Sequence, residues 1–481
     1  MGTITSLKLA SRESSIEYQA MENFTVGDIL KATKGRLVKG NASSFVSGIS
    51  TDSRTLEADD IFVALIGERF DGHDFIAQAV SRGAMGALVS RDVGDLPVRT
   101  LILVENTLQA LGDIASLYRS GFNIPVVGIT GSNGKTTTKD MTWLVLSQKY
   151  SVLKSEGNFN NAIGVPLTLF KLSRAHEMAV IEMGTGAPGE MSRLVEIAQP
   201  DVAVITNVGP THLEFFGSID KVAAEKGILA QAASSVVLNA DDPFVAKMRD
   251  VVDGTAISFG LVFTGKDACA TVLAADIEQG QDGGPEFTLV VNERRIRIRL
   301  PSLGRHNVYN ALAAAAVGIL FRVSLDDIKE ALESYKGVSM RMQRVAVGGA
   351  TIIDDTYNSN PVSLRAAVDF LSEAECDGKR IFVVGDMLEL GERSDELHRE
   401  AGHFIASRPI HILVTVGDRS TKIAEAALDD GISKDRVVIC ETNSEAVAHL
   451  RSILGEDDIA LIKGSRGMKM EGIVEALRTG Y

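Results

Sequence analysis

Cysteine is scarce: Cys269, Cys376 and Cys440 are the only ones in 481 residues, and they stand far apart. With no CxxC pair there is neither a disulfide framework nor a cysteine zinc site, which fits a protein of the reducing cytoplasm. Positive charge is also short. Lys and Arg number 49 against 63 Asp and Glu, a net charge of −14. A surface that acidic repels long polyphosphate backbones, so no nucleic-acid partner is expected, and any small anion needs a locally positive pocket. Long apolar runs are missing too. The longest, 311–321, is too short to span a bilayer, so no membrane insertion is expected. The first residues lack a basic start followed by an apolar core, and no signal peptide is expected. There is no fixed-period repeat and no low-complexity segment. What remains is an ordinary globular balance, 45% hydrophobic and 23% charged, at a length suited to about three domains.

Short β-rich runs ending in Gly or a polar residue alternate with amphipathic stretches. The clearest runs are 60–66, 126–130, 179–183, 202–206 and 236–239, then 351–354, 381–385, 412–417, 437–440 and 459–463. Such alternation predicts an α/β fold with mostly parallel sheets and helices on both faces. Breaks after Glu105, before the helical stretch 107–119, and near Lys336 to Ser339, after the amphipathic stretch 325–335, divide the chain. The expected segments are a loose polar tail over 1–20, then domains over 21–105, 106–336 and 337–481.

The strongest local signal begins at Val126. A β-branched strand runs into Gly131, Ser132, Asn133 and Gly134, and Lys135, Thr136 and Thr137 then open a helix. Glycines let backbone N–H groups approach phosphates, a helix N-terminus adds positive potential, and Lys135 reaches terminal phosphate oxygens. Thr136 supplies a hydroxyl for Mg²⁺. Ile129 stands where the usual GxxxxGK[ST] spacing wants Gly, which points away from kinase and GTPase loops toward a tighter GxxGKT form.

Ligands of open α/β sheets sit beyond the carboxyl ends of strands. One strand ends at Glu182, before Met183-Gly184, as the Mg²⁺-holding acid of nucleotide enzymes does. The next leads to Asn207 and, past Pro210, to His212; the one after ends at Asn239 and Asp241. Each alone reads more readily as a solvated turn acid, an exposed histidine or a helix cap. Four successive strands delivering such groups to one edge favour a site. Two further polar clusters stand out, Asn158, Asn160 and Asn161 in a turn, and His306, Asn307 and Asn310 at the start of an alanine-rich helix. The amides can bond phosphates or peptide carbonyls, although Asn is common in turns.

Together these residues resemble the Mur ligases, ATP-dependent enzymes that add amino acids to UDP-N-acetylmuramic acid. The likeness rests on the Gly131 to Thr136 loop, the Asn158 to Asn161 turn, Glu182, Asn207 with His212, and His306-Asn307 with Asn310, and it runs from about Met21 to the end. Ser50-Thr51-Asp52-Ser53-Arg54 and Phe70-Asp71-Gly72-His73 are similar to the UDP-binding domain of the later-acting members. Asp355-Thr356-Tyr357-Asn358-Ser359-Asn360-Pro361, Gly385-Asp386-Met387-Leu388-Glu389-Leu390-Gly391 and Lys463-Gly464-Ser465-Arg466 resemble the branch that adds D-alanyl-D-alanine to a UDP-N-acetylmuramoyl tripeptide. The Asp-Asn-Pro-Arg run of the diaminopimelate-adding branch is absent, and Met340 stands before Arg341 where many relatives have Gly. A folylpolyglutamate-type ligase would carry its phosphate loop near the N-terminus, yet about 125 residues precede it here; a regulatory GTPase would need Asn-Lys-x-Asp, which does not occur.

The resemblance implies a monomeric ligase working through an acyl phosphate, with ATP and two Mg²⁺ sites. It implies Thr136 and Glu182 on the nucleotide-bound Mg²⁺, and His212 with a CO₂-modified Lys226 on a second metal. Lys135, His212 and Lys226 would be catalytic. Gly131, Ser132, Asn133, Gly134, Lys135, Thr136, Thr137, Asn239, Asp241, His306, Asn307, Asn310, Arg341 and Asp355 would hold ATP. Ser50 to Arg54, Asn158, Asn160, Asn161, Tyr357, Asn358, Asn360, Ser465 and Arg466 would meet the UDP-N-acetylmuramoyl tripeptide and D-Ala-D-Ala, with Arg54 on a phosphate or carboxylate.

Overall fold

Each of the ten runs read as a strand forms one, with ends within one residue except for the first, which leaves its sheet at Val63. The computed structural model describes residues 21–94, 96–262, 270–280 and 282–479, so the expected tail 1–20 lies outside the described residues. The strands are β1 (Arg36–Lys39), β2 (Gly48–Ser50), β3 (Asp60–Val63), β4 (Gly86–Val89), β5 (Thr100–Leu103), β6 (Val126–Thr130), β7 (Val152–Lys154), β8 (Met178–Glu182), β9 (Val202–Ile205) and β10 (Ser235–Asn239). They continue as β11 (Thr255–Leu261), β12 (Val272–Gln279), β13 (Pro285–Val291), β14 (Arg294–Arg299), β15 (Gln343–Val347), β16 (Ala350–Asp355), β17 (Arg380–Gly385), β18 (Ile412–Val416), β19 (Val437–Cys440) and β20 (Ile459–Lys463).

Three sheets result, ordered β1-β5-β4-β3-β2, then β14-β13-β12-β11-β10-β9-β6-β8-β7, then β15-β16-β20-β17-β18-β19. Strands β2 to β5 are parallel, as are β16 to β20, and each of these sheets is closed at one edge by an antiparallel strand, β1 or β15. The central strands β6, β8, β9 and β20 are buried along their whole length. Continuous aliphatic runs are the signature of parallel strands covered on both faces.

The ribbon β12-β13-β14 departs from the expected alternation with helices. It is antiparallel, Glu286 pairing with Arg299 and Val291 with Arg294. In β13 the buried Phe287, Leu289 and Val291 alternate with partly exposed residues. The arginines of β14 bond Asp276, Glu278 and Asp282. Period-two alternation with one wet face suits a hairpin rather than a buried parallel strand.

The described residues divide into two compact units, one reaching to Val126 and including Ser151–Ile181 and Arg193–Gln199, the other comprising Val127–Tyr150, Glu182–Ser192 and the chain from Pro200 on. The first unit holds the β1–β5 sheet, whose inner face packs Leu56, Phe62, Ile76, Ala87 and Leu101. Its helix Thr107–Ser120 is capped by Asn106, whose side chain accepts from the N–H groups of Leu108 and Gln109. Near that helix's end the buried Arg119 donates to the carbonyls of Phe122 (2.6 Å), Ile124 (3.1 Å) and Ala198 (3.2 Å). Removing the guanidinium leaves those carbonyls without their donor, so Arg119→Met is expected to lower stability by about 2 kcal/mol. Urea denaturation measures this; an unchanged midpoint would show that the carbonyls find other donors.

Among the described residues no helix is long and apolar enough to cross a membrane.

Candidate active site

All the groups joined in this site belong to the second unit. The loop after β6 turns on two glycines in left-handed backbone. Gly131 has φ +155° and Gly134, at the start of the helix Lys135–Ser147, has φ +79°. A Cβ at Gly131 would lie 1.8 Å from Thr206 Oγ1, and one at Gly134 2.3 Å from Asn310 Oδ1. Both glycines are therefore required by space as well as by conformation.

The neighbouring strand ends hold the loop in shape. The Ser132 N–H donates to Asn207 O (2.9 Å), and the Asn133 N–H to Asn207 Oδ1 (2.9 Å). Thr206 Oγ1 and Asn207 Nδ2 both donate to Asn133 O, at 2.6 and 3.1 Å. Asn239 Nδ2 in turn donates to Thr206 O at 2.9 Å. From the helix His306–Leu320, Asn310 accepts from the Thr138 hydroxyl (3.2 Å) and donates to Asn307 Oδ1 (2.8 Å). Asn239, Asn307 and Asn310 are buried; Asn239 and Asn310 bond Thr206 and Thr138 beside the loop, and Asn307 bonds Asn310.

Lys135 lies along the loop with Nζ 2.7 Å from Gly131 O. Burial lowers its pKa from the usual lysine range, Glu182 opposes that shift and Arg341 adds to it. The Thr136 hydroxyl meets Glu182 Oε1 at 3.2 Å, and from the loop before β15 Arg341 donates to Thr136 Oγ1, also at 3.2 Å. Lysine, hydroxyl, carboxylate and guanidinium thus surround the helix N-terminus, a place for a polyphosphate. Glu182 is fully buried beside the buried Lys139, whose Nζ lies 3.9 Å from its Oε2.

His212 has left-handed backbone (φ +53°), and its Nδ1 meets Glu389 Oε2 at 2.5 Å; that bond holds the Glu389 carboxyl below its usual range. Lys226 is 3% exposed, on the helix Ile219–Ala232. Its pKa falls to about 7 because it is buried and because the Lys135 charge repels a second one, while Glu225 opposes the shift. Glu225 itself accepts from the Gly189 and Met191 N–H groups at 2.9 and 2.7 Å, closing the turn into the helix Glu190–Ala198.

Asp241 accepts from the Tyr309 hydroxyl (3.0 Å) and the Leu261 N–H (2.7 Å). Tyr309 and the exposed His306 line a cavity of about 490 Å³ with Leu261, Arg305 and Phe370. A concave cavity lined by both apolar and polar side chains suits a heteroaromatic ring that carries hydrogen-bonding groups.

The remaining expected residues fall in two groups. In the second unit Tyr357 stacks under the Arg341 guanidinium at 4.0 Å, Asp355 is paired with Lys463, and Asn360 caps the helix Pro361–Glu373 while bonding Asn133. Ser465 joins Leu388 to Ser359, the Asn358 carbonyl accepts from Lys463, and Arg466 pairs with Glu471. Ser50 to Arg54 and the asparagine turn belong to the first unit. There the Arg54 guanidinium lies flat on Asp52, at 2.8 and 2.9 Å, and Ser53 bonds Gln78. Asn161 accepts from the Ile163 and Gly164 N–H groups, opening the helix Gly164–Leu169.

The sequence reading missed Lys139, Glu389 and Lys463 as site residues. Lys139 carried a signal, because it lies one turn after Lys135 in the same helix, a charged side chain among the buried Thr136, Thr138, Met141 and Thr142. Among the described residues no three His, Cys, Asp or Glu side chains converge as a closed metal cage. The hard donors that do meet, Thr136 Oγ1 and the Glu182 carboxylate, suit Mg²⁺, which takes one or two protein oxygens beside phosphates and water.

Three family models match in succession: the Mur ligase family catalytic domain over 45–119, the Mur ligase middle domain over 129–318, and the Mur ligase glutamate ligase domain over 340–466. The chain is 37% identical over 466 residues to the UDP-N-acetylmuramoyl-tripeptide–D-alanyl-D-alanine ligase of Bacillus subtilis, covering 94% of this chain and 98% of that one. Its identity to the ligase of the same name from Escherichia coli is 35%, over 95% and 99% of the two chains. Among solved structures, MurF from Acinetobacter baumannii superposes with a TM-score of 0.85 at 33% identity, covering 95% of this chain and 99% of that one. MurF ligase from Thermotoga maritima, solved in complex with ADP, gives 0.78 at 29% identity, over 90% and 97%. A phosphate loop braced by asparagines, an acid at the next strand end, an arginine brought from the loop before β15 and likeness along nearly the whole chain agree: this protein belongs to the Mur ligase family.

Proposed function

We propose that the protein joins D-alanyl-D-alanine to a UDP-N-acetylmuramoyl tripeptide, with ATP converted to ADP and phosphate, in the cytoplasmic assembly of peptidoglycan precursors. The observation that carries this reading is the meeting of Lys135, Thr136, Glu182 and Arg341 at one helix N-terminus, in a chain so similar to ligases of that name.

The chemistry follows from what a carboxylate lacks. It is a poor acyl donor, so its oxygen first takes the γ-phosphoryl group of ATP, releasing ADP. The dipeptide amine then attacks the carbonyl of the acyl phosphate, the C–N bond forms as the C–O bond breaks, and inorganic phosphate and the amine's proton are released. Lys135 and Arg341 offset negative charge as the phosphoryl group moves, and the loop N–H groups hold the phosphates in line. Thr136 and Glu182 would hold Mg²⁺, which would supply further charge neutralisation there. His212, whose Nδ1 is engaged by Glu389 so that Nε2 is left over, and Lys226 as its carbamate would hold a second Mg²⁺. His306, Tyr309 and Asp241 border the adenosine.

The first unit would bind the UDP part, through Ser50 to Arg54. Arg54→Ala is expected to raise the KM for the UDP substrate several-fold, leave the KM for ATP unchanged and leave the melting temperature unchanged, since the side chain is 76% exposed. Steady-state kinetics in each substrate separate these; equal effects on both KM values would contradict the assignment.

The function is tested with purified protein, ATP and Mg²⁺, by following phosphate release and the mass of the product. Release that requires both the UDP-muramoyl tripeptide and D-Ala-D-Ala supports the proposal. Turnover with neither, or with glutamate in place of the dipeptide, overturns it.

A further inference from the structure

The arginine that reaches the phosphate loop comes from a backbone that cannot hold itself. Arg341 is flanked by Met340 and Met342, at φ +60° and +51°, two non-glycine residues in left-handed conformation. Such residues persist only where their surroundings fix them. Local contacts are long: the Met340 N–H donates to Gln343 Oε1 (3.3 Å), the Arg341 N–H to Val338 O (3.3 Å), and Arg466 Nη1 meets Met340 Sδ (3.7 Å); two further contacts come from Asp355 and Tyr357. Asp355 Oδ1 accepts from the Met342 N–H (3.2 Å), and Met340 O accepts from the Tyr357 N–H (3.1 Å). The Tyr357 ring supports the guanidinium at 4.0 Å. Arg341 Nε is buried and, among the described residues, meets no hydrogen-bond acceptor, so it remains available to an anion.

Behind these contacts stands Lys463. Its side chain is 2% exposed at the end of β20, beside Asp355 in the strand register. Nζ donates to Asp355 Oδ2 at 2.6 Å and to Asn358 O at 2.9 Å, so one ammonium ties both ends of the segment that carries Tyr357. Without it Asp355 would be a part-buried carboxylate lacking its counter-charge, and would turn toward water and release Met342. Resting on the proposed reaction, we infer that Lys463 is a positioning residue: through Asp355 and Asn358 it holds the strained Met340–Met342 turn so that Arg341 points at Thr136 and the γ-phosphate beside it.

A double-mutant cycle of Lys463→Met with Arg341→Ala tests this. Lys463→Met is expected to lower kcat about 100-fold, the scale of a small misplacement of a charge-stabilising group, with the KM for the UDP substrate unchanged. In the Arg341→Ala background the same substitution should cost less than about 3-fold, because its effect passes through the arginine. The same cycle is run on the affinity for a non-hydrolysable ATP analogue, with ADP as the control that lacks the γ-phosphate. This readout stands even if wild-type protein fails to ligate the dipeptide, a result that would count against the proposed reaction alone. If Lys463→Met does not fold, judged by its melting curve, Asp355→Asn breaks the same pair at constant volume and enters the cycle instead. Additive losses, or equal losses for ADP and the ATP analogue, overturn the inference.

Discussion

Lys226→Ala is expected to abolish ligation, lowering turnover by about 1,000-fold or more, the scale seen when a catalytic charge-stabilising group is removed, while binding of an ATP analogue remains measurable. The reason is the unusual setting of this amine. It is 3% exposed, no described residue offers it a hydrogen bond or an ion pair, and its pKa is about 7. At pH 7 about half of such an amine is neutral, against roughly one part in 3,000 for an ordinary lysine. Only the neutral amine attacks CO₂; the N–C bond forms, a proton leaves, and the resulting carbamate is an oxygen ligand for a hard cation. Because what is needed is a carboxylate at that spot, acetate or formate added to the alanine variant should restore part of the turnover. Labelled ¹³CO₂ should give a carbamate signal in wild type that the variant lacks. Full activity in the alanine variant, or in wild type after rigorous removal of CO₂, would sink the idea.

Gly131→Ala should be nearly as damaging, by a different route. The added methyl would sit 1.8 Å from Thr206 Oγ1, which is itself held 2.6 Å from Asn133 O. Relief requires the loop to move away from β9, breaking the Ser132 and Asn133 bonds to Asn207 that shape the cradle. Nucleotide affinity is expected to fall more than about 100-fold, and stability by about 1–3 kcal/mol from overpacking and backbone strain. Gly472→Ala is the control, since a Cβ there meets nothing within 4 Å and the site is an exposed helix turn. Calorimetric titration with ADP and a melting curve read both effects. Wild-type affinity in the Gly131 variant would mean that the loop is not the phosphate cradle.

The sequence by itself determined a good deal. Aliphatic runs such as 126–130 and 459–463 have one stable use, as parallel strands covered on both faces, and they are strands with those bounds. The turn from β6 into the helix Lys135–Ser147 was legible because its parts are local: two left-handed glycines, a lysine and a threonine stand next to one another in the chain. The Met340 departure from Gly was visible as well, and that residue does adopt φ +60°. Asn239, Asn307 and Asn310 were legible as polar residues at strand ends and helix starts. Only the tertiary structure supplied their partners, Thr206 for Asn239 and Thr138 with Asn307 for Asn310, because hydrogen-bond direction depends on the partner's position, not on the residue's own type. Glu389 next to His212 is separated from it by 177 residues, and Lys463 from Asp355 by 108. Composition and periodicity report which face of an element is buried, whereas a pair like these exists only after strands distant in sequence have been brought side by side.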